Sequence, residues 1–303
     1  MSDINKKIGS LLKKIRINEK KSQNSFISDQ ISRSKLSRIE SGKTTISIPE
    51  LILFLDKLTI TEDEFLNFLL PKDSEKVKIK EKTVSLGLNR KENYDEILKF
   101  IKYLDIKFKD TGDLYYFYHS FYCKNLIRRI ETKDLEFIYN YLLEKKLYTY
   151  FDYAMLSNSI MYLSHSKVKK LVGQMLPQIS NLPKTNELQG KINQMFINLL
   201  NRGIMNYNEI ETFDYLKQAL EYNETYPDYF TKVQLLYLTS LIDFRFKKNT
   251  YALKKCFEYI EIMQKTGLND VATEAYSEIQ LYNKYPEEAI PQSEISMIHS
   301  YYS

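Results

Sequence analysis

Apolar residues recur along this chain at three- and four-residue spacing almost from end to end, and two-residue alternation is nearly absent. Ile8, Leu11, Leu12 and Ile15 make the first such stripe, with Lys13, Lys14 and Arg16 elsewhere on the same turns, which predicts a helix over 4–18. Ser22 or Asn24 is placed to cap a second helix carrying Phe26 and Ile27. A turn centred on Gln30, Ile31 and Ser32 leads into a third helix, which buries Leu36 and Ile39 and stops at Gly42. Pro49 stands ahead of ELILFLDKL, where a first-turn proline belongs, and Thr61, ahead of Glu62, Asp63 and Glu64, opens a fifth helix that runs to Leu70. Residues 1–70 therefore predict a small, closed helical domain.

Residues 71–91, PKDSEKVKIKEKTVSLGLNRK, are lysine-rich and weakly apolar and read as a connecting segment with some helical character. From Glu92 to Ser303 one helical pattern follows another. Breaks fall near Asp110–Gly112, Thr132, Tyr148–Thr149, Ser164–Ser166, Leu182–Lys184, Met205–Asn208, Pro227, Lys248–Asn249, Gly267–Asn269 and Pro286. Taken in pairs these helices recur at about 35 to 42 residues, near the period of tetratricopeptide-like arrays. NYNEIETFDYLKQALEY (206–222) and NTYALKKCFEYIEIMQK (249–265) match best, each placing a small residue, Ala219 or Ala252, on its apolar stripe. The W-x-x-L-G-x-x-Y consensus is absent, so the array is degenerate, and an ordinary helical bundle is the alternative. The fold class expected is all-α, a helix-turn-helix domain followed by a TPR-like helical repeat domain over 92–303.

Composition agrees with this reading. Eight glycines and seven prolines are few for 303 residues, and 25 tyrosines without a tryptophan supply rings that pack while leaving a hydroxyl wet. Charge adds something the pattern cannot. Residues 1–47 hold eleven Lys and Arg against four Asp and Glu, a local net of +7, whereas 48–70 carry −4 and the remaining 233 residues about +2. A positive surface confined to one module is the footprint of phosphate binding.

The stretch SFISDQISRSKLSRIESGK (25–43) lies in that basic region. Slender polar and basic side chains at the start of a short helix suit a DNA major groove, which makes Arg33, Ser34, Lys35, Ser37 and Arg38 candidates for base-edge and nearby phosphate contacts. Lys13, Lys14, Arg16, Gln23 and Lys43 are expected to touch phosphate and set register.

Little in the chain points to catalysis. His119, His165 and His299 are scattered, and there is no H-E-x-x-H, P-loop, G-x-G-x-x-G or G-x-S-x-G motif, so neither an enzyme nor a metal or other cofactor is expected. Cys123 and Cys256 have no zinc spacing and are expected to be buried small apolar residues in a reducing compartment. No apolar h-region opens the chain and no apolar run is long enough for a membrane span, so the expected location is cytoplasmic, without a membrane partner.

The run S-x-S-x-L-S-R-I-E-x-G closely resembles the lambda-repressor-like helix-turn-helix. Ser37 and Arg38 fall on its groove-facing part, Leu36 and Ile39 on its core, and Glu40 and Gly42 on its end. Two positions depart from it, Ile27 where alanine is usual and Gln30 where the turn glycine is usual. With LLKKIR (11–16), LSRIESGKTTIS (36–47) and LILFLDKLTITEDEF (51–65), the N-terminal part resembles that of the Rgg/MutR family of regulators. The resemblance implies a cytoplasmic, homodimeric transcription regulator whose repeat domain binds a short signalling peptide, as in the peptide-pheromone receptors of quorum sensing. It implies double-stranded DNA with an inverted-repeat operator as partner, and leaves RNA polymerase open as another. Some relatives carry an intersubunit cysteine near the start of the fourth helix; the matching position is Ile48, so that disulfide is not expected.

A peptide in a groove needs backbone donors and acceptors, apolar pockets and charge for its ends. Asparagine amides offer donor and acceptor together, and Asn158, Asn193, Asn198 and Asn201 recur at helical spacings in two segments. Tyr237 and Arg245 could supply a ring and a charge. The lysine-rich linker is the expected point where the repeat domain influences the DNA module. Two other readings stay open: a helix-turn-helix regulator without a peptide ligand, and a repeat-based protein-interaction module capped by its N-terminal helices. The +7 charge of residues 1–47 disfavours the second.

Overall fold

The computed structural model describes residues 3–29, 31–69, 74–88, 92–291 and 294. Among these there are fifteen α-helices, two short 3-10 segments and no strand, so the chain is all-α as its periodicity implies. Two compact units divide it, Met1–Glu81 and Lys82–Ser303. The division falls within helix α5 (Glu75–Leu88), inside the lysine-rich stretch. Pro71–Asp73 and Asn89–Lys91 at its two ends, Gln30 in the helix-turn-helix, and His299 lie outside the described residues.

In the first unit α1 (Asp3–Asn18), α2 (Arg33–Glu40), α3 (Ile48–Leu58) and α4 (Glu62–Leu69) enclose Leu12, Phe26, Ile31, Leu36, Ile39, Phe54, Leu55, Leu58 and Phe65. Phe26 stacks on Phe54 with ring centroids 4.3 Å apart. Each such side chain, fully buried, contributes about 1.5–3 kcal/mol. The helix starts follow from local chemistry. Ser32 Oγ accepts from Lys35 N at 3.2 Å to cap α2. Ser47 with Glu50 closes a capping box on α3, and Thr61 with Glu64 makes the same reciprocal pair on α4.

Glycine sets how closely α1 and α2 approach. A Cβ on Gly9 would lie 2.0 Å from the Ile39 carbonyl oxygen, and one on Gly42 would lie 2.8 Å from Lys6 Cα. Gly42 also has φ +69°, a left-handed conformation that ends the helix, as its place in the sequence predicts.

One element differs from expectation. The first member of the helix-turn-helix is only a single 3-10 turn, Gln23–Phe26, and Ile27 after it is extended and exposed. Ser22 begins that turn without a side-chain cap. The reason is the run of short polar residues, which bond locally and compete with the α-helix. Ser25 Oγ donates to the Ser22 carbonyl at 2.6 Å, and Ser28 and Ile31 exchange backbone hydrogen bonds at 3.1 and 3.2 Å. Phe26 alone reaches the core.

The second unit holds α6 (Tyr94–Thr111), α7 (Leu114–Leu126), α8 (Thr132–Glu144), α9 (Tyr150–Ser159), α10 (His165–Met175), α11 (Asn186–Met205), α12 (Glu209–Thr225), α13 (Tyr229–Lys247), α14 (Thr250–Lys265) and α15 (Asn269–Lys284). Every break read from the sequence falls at a helix end. Helices α7, α9, α11 and α13 pack side by side in one row, while α8, α10, α12 and α14 pack against them or their own neighbours. Helices α9 and α11 lie between neighbours and are buried around most of their circumference. Ala219 and Ala252 lie deep in the packing, as their positions predict. No helix among the described residues is long and apolar enough to cross a membrane.

Candidate functional site

The basic face of the first unit is built on α2 and its surroundings. Arg33, Ser34, Ser37 and Arg38 lie on α2 away from its inner face of Leu36, Ile39 and Glu40. Lys13 and Lys14 of α1, and Lys43 just after the Gly42 turn, are exposed too. None of these seven is committed to an ion pair among the described residues.

Three of the ten residues expected at this face do something else. Arg16 is buried, and its Nε and Nη2 donate to Glu40 Oε1 and Oε2 at 2.5 and 2.9 Å, while Nη1 donates to the Lys21 carbonyl at 2.8 Å. Gln23 Nε2 donates to the same Glu40 carboxylate at 2.9 Å. Arg16 and Gln23 are therefore corrected from phosphate contacts to internal ties joining α1, the 3-10 turn and α2. Burial by itself would raise the Glu40 carboxyl; the hydrogen bonds from Arg16 and Gln23 outweigh it and hold the group below the usual glutamate range. Lys35 is half-buried and pairs with Glu50, the capping glutamate of α3. That bond and the Ser47 amide hold Glu50 low as well. Lys35 thus also makes an α2–α3 contact.

In the second unit the asparagines expected to line a groove are all buried, on α9 and α11. Asn198 Nδ2 donates to the Ser157 carbonyl at 2.9 Å and to its Oγ at 3.2 Å, and Asn198 Oδ1 accepts from Gln194 Nε2 at 3.1 Å. Asn158 Nδ2, Asn193 Nδ2 and both amide atoms of Asn201 have no hydrogen-bond partner among the described residues. Gln194, Asn198 and Asn201 share one face of α11, at i, i+4 and i+7.

Gln194 also opens on a pocket of about 160 Å³ between α11, α13, α14 and α15. Its lining includes Ile197, Phe230, Gln234, Tyr237, Tyr259 and Glu274. Tyr237, expected from the sequence, stacks on Tyr259 at 4.5 Å and donates its hydroxyl to Glu278 Oε2 at 2.9 Å. Of the six residues expected to hold a peptide, Tyr237 alone lines this pocket; the four asparagines and Arg245 do not. Arg245 is only 2% exposed, and its guanidinium bonds the backbone carbonyls of Tyr282, Tyr285 and Glu288 and lies 5.0 Å from the rings of both Tyr207 and Tyr282. Its charge is used within the fold and is not presented to a ligand.

Sequence reasoning misses Gln194, Gln234, Tyr259, Glu274 and Glu278. The readable signal lies in α15, where Glu274 and Glu278 interrupt the apolar stripe of Ala272, Ala275, Ile279 and Tyr282, and in Gln194 one turn before Asn198.

The remaining sequence candidates have structural places. His119 is buried against Thr83 Oγ1 at 2.9 Å, and His165 is exposed, 3.4 Å from Glu211. Cys123 and Cys256 are buried, and burial pushes both thiols up to about 12, which makes them inert.

Solved structures share this fold. A cysteine-to-serine variant of the SHP pheromone receptor Rgg2 of Streptococcus dysgalactiae is 17% identical with a TM-score of 0.76, over 91% of this chain and 99% of that one. A PrgX/cCF10 complex is 22% identical with a TM-score of 0.74, over 94% and 95%. A putative transcriptional regulator from Listeria monocytogenes EGD-e is 17% identical with a TM-score of 0.74, over 92% and 98%. Among curated proteins none matches. Residues 116–278 match the C-terminal domain of the HTH-type transcriptional regulator Rgg. That segment is more than half of the chain, it comprises most of the repeat unit, and a helix-turn-helix module precedes it; the chain belongs to the Rgg family of transcriptional regulators.

Proposed function

We propose that this regulator works in the cytoplasm as a homodimer, reads an inverted-repeat operator with one α2 per half-site, and switches when its repeat domain takes up a short signalling peptide. The observation that carries the peptide reading is the set of amides on α9 and α11. Four buried amide atoms, on Asn158, Asn193 and Asn201, lack protein partners among the described residues, and leaving such an atom unpaired costs about 1–3 kcal/mol. A fold that retains several of them gains when an extended backbone supplies the missing donors and acceptors. The array needs no enzyme chemistry to act: a ligand that prefers one arrangement of the dimer shifts the population that binds DNA.

Operator recognition rests on Arg33, Ser34, Ser37 and Arg38, with Lys13, Lys14 and Lys43 on phosphate. The stretch containing α5 is the proposed relay, so lengthening it changes regulation more than peptide affinity. The test is a gel-shift titration of the full chain on genomic fragments at several salt concentrations, with and without synthetic octapeptides. Sequence-selective binding with a steep salt slope, altered by peptide, is expected. Binding without sequence preference or salt dependence would sink the DNA reading; operator binding that no peptide alters, together with no measurable peptide uptake, would leave a regulator with another input.

A further inference from the structure

We propose that Lys191 of α11 receives a carboxylate of the peptide ligand, either its C-terminus or an Asp or Glu side chain. This deepens the peptide reading above and rests on it. Lys191, Asn198 and Arg202 stand at i, i+7 and i+11 and so lie on one stripe of α11. Gly203, against which Thr212 of α12 presses, is about 120° round the helix from Lys191, so the stripe is turned away from α12. Asn198 bonds Ser157 and Arg202 donates to the Ile160 carbonyl, so contacts ascend α9 and α11 together and the two helices run parallel. By that register Lys191 is level with Tyr150, at the start of α9. It heads the amide face on which Asn198 and Asn201 follow.

Lys191 is partly buried and has neither a hydrogen bond nor an ion pair among the described residues. Burial alone pushes its ammonium below the usual lysine range, and Glu187, one turn earlier, does nothing to raise it. Two other lysines of this unit are sunk as well, and each is matched by a carboxylate. Lys124 holds Asp134 and Asp105, each at 3.3 Å, and Lys145 holds Asp152 at 2.6 Å. Asp152, the carboxylate in the first turn of α9, is tied further to the Thr149 amide at 2.7 Å. Arg202, the other cation of the stripe, uses a donor on Ile160 and feels the charge of Glu211. Lys191 is thus a desolvated cation on this face that no described carboxylate balances. Such a charge is expensive to hold in place and gains from a partner that arrives with its water removed. In the same surroundings a ligand carboxylate is attracted and a second ammonium is repelled. The four-carbon stem lets the ammonium follow a terminal or a side-chain carboxylate. Lys191 therefore selects ligands by sign of charge, and the amide row on α9 and α11 handles the rest of the backbone.

The test uses the full chain and two random synthetic octapeptide libraries, one with free C-termini and one C-terminally amidated, with retained peptides identified by mass spectrometry after co-elution. Wild-type protein is expected to enrich peptides bearing a carboxylate about tenfold over amidated peptides without Asp or Glu. Enrichment of free acids that lack Asp and Glu assigns the C-terminus; enrichment of Asp or Glu peptides in the amidated library assigns a side chain. Lys191→Met, which keeps an unbranched stem and removes the charge, should abolish the preference, still retain uncharged peptides and melt no lower than wild type. Equal retention of amidated uncharged peptides by the wild type would overturn the charge proposal and leave the peptide reading standing. So would an unchanged carboxylate preference in K191M. A clear drop in the melting temperature of K191M would overturn it too, by revealing a protein partner for the ammonium. Retention of no peptide by the wild type would overturn both. The wild-type comparison involves no substitution, so it tests the charge preference whether or not K191M folds.

Discussion

Both units pair buried charges, but only the repeat unit leaves several buried amide atoms without partners among the described residues. In the N-terminal unit the buried charge is closed on itself, with Arg16, Glu40 and Gln23 meeting at 2.5–2.9 Å, so the surface alone is left for function. In the repeat unit the buried amides of Asn158, Asn193 and Asn201 retain atoms that no described protein group meets. Under the proposed function, the first arrangement would make a preformed reader whose shape does not depend on a ligand. The second stores unmet bonding capacity in the interior, where an incoming chain can change the balance between two packings. Under the proposed function, the difference would separate the part that recognises from the part that decides.

The largest effect that would break this contrast is removal of the closed pair. Arg16→Ala strands a buried carboxylate, and the N-terminal unit is expected to lose about 3–5 kcal/mol in urea unfolding. A loss near zero would mean that the module is not held by this pair. Acidification sharpens the same point. Because Glu40 is held below the usual glutamate range, its contribution is complete above its unfolded value and disappears as pH falls through the lowered folded value. Glu40→Gln should therefore flatten the acid limb of stability against pH for this unit.

Next in size, Arg38→Ala should weaken operator binding by about 1–3 kcal/mol while circular dichroism is unchanged. Full-affinity footprinting by the mutant would remove Arg38 from the reading face. Smaller again is Asn201→Leu. Since both amide atoms of Asn201 lack partners among the described residues, an apolar residue of similar size should leave stability unchanged or raise it by about 1–2 kcal/mol, at the expense of the proposed peptide response. Asn198→Ala differs in sign, because it removes bonds to Ser157, and should lower stability by about 1–2 kcal/mol. Equal destabilisation by both would erase the distinction between met and unmet amides.

Most of the helical frame is legible in the sequence, because glycines, prolines and capping residues act locally. Gly42, Gly112 and Gly267 all have positive φ at helix ends, and Thr132 begins α8. The 3-10 turn at Gln23–Phe26 is less legible, since an apolar Ile27 suits a helix by pattern while the flanking serines bond otherwise. Arg16 misleads for a different reason. Its partner is 24 residues away, and an arginine beside two lysines looks like surface until the crossing of α1 and α2 is known. The exposure of the outer face of α2 is legible, since Arg33, Ser34, Ser37 and Arg38 fall opposite the apolar Leu36 and Ile39. The pocket is not, because its walls come from four helices and no local pattern announces that Gln194, Tyr259 and Glu274 meet.

An open stack of helices has no partner for its last layer, and a repeat array must close that end or offer it to aggregation. Arg245 does this with one guanidinium, gripping the carbonyls of Tyr282, Tyr285 and Glu288 as the chain leaves α15. That closure is polar, so it can be undone all at once. A protease cut after Lys284 would take two of the three acceptors with it and leave a cation sealed between two tyrosine rings. The segment after α15 is then a fuse: its loss would propagate inward through α15 to Glu278 and Glu274 and loosen the repeat unit first.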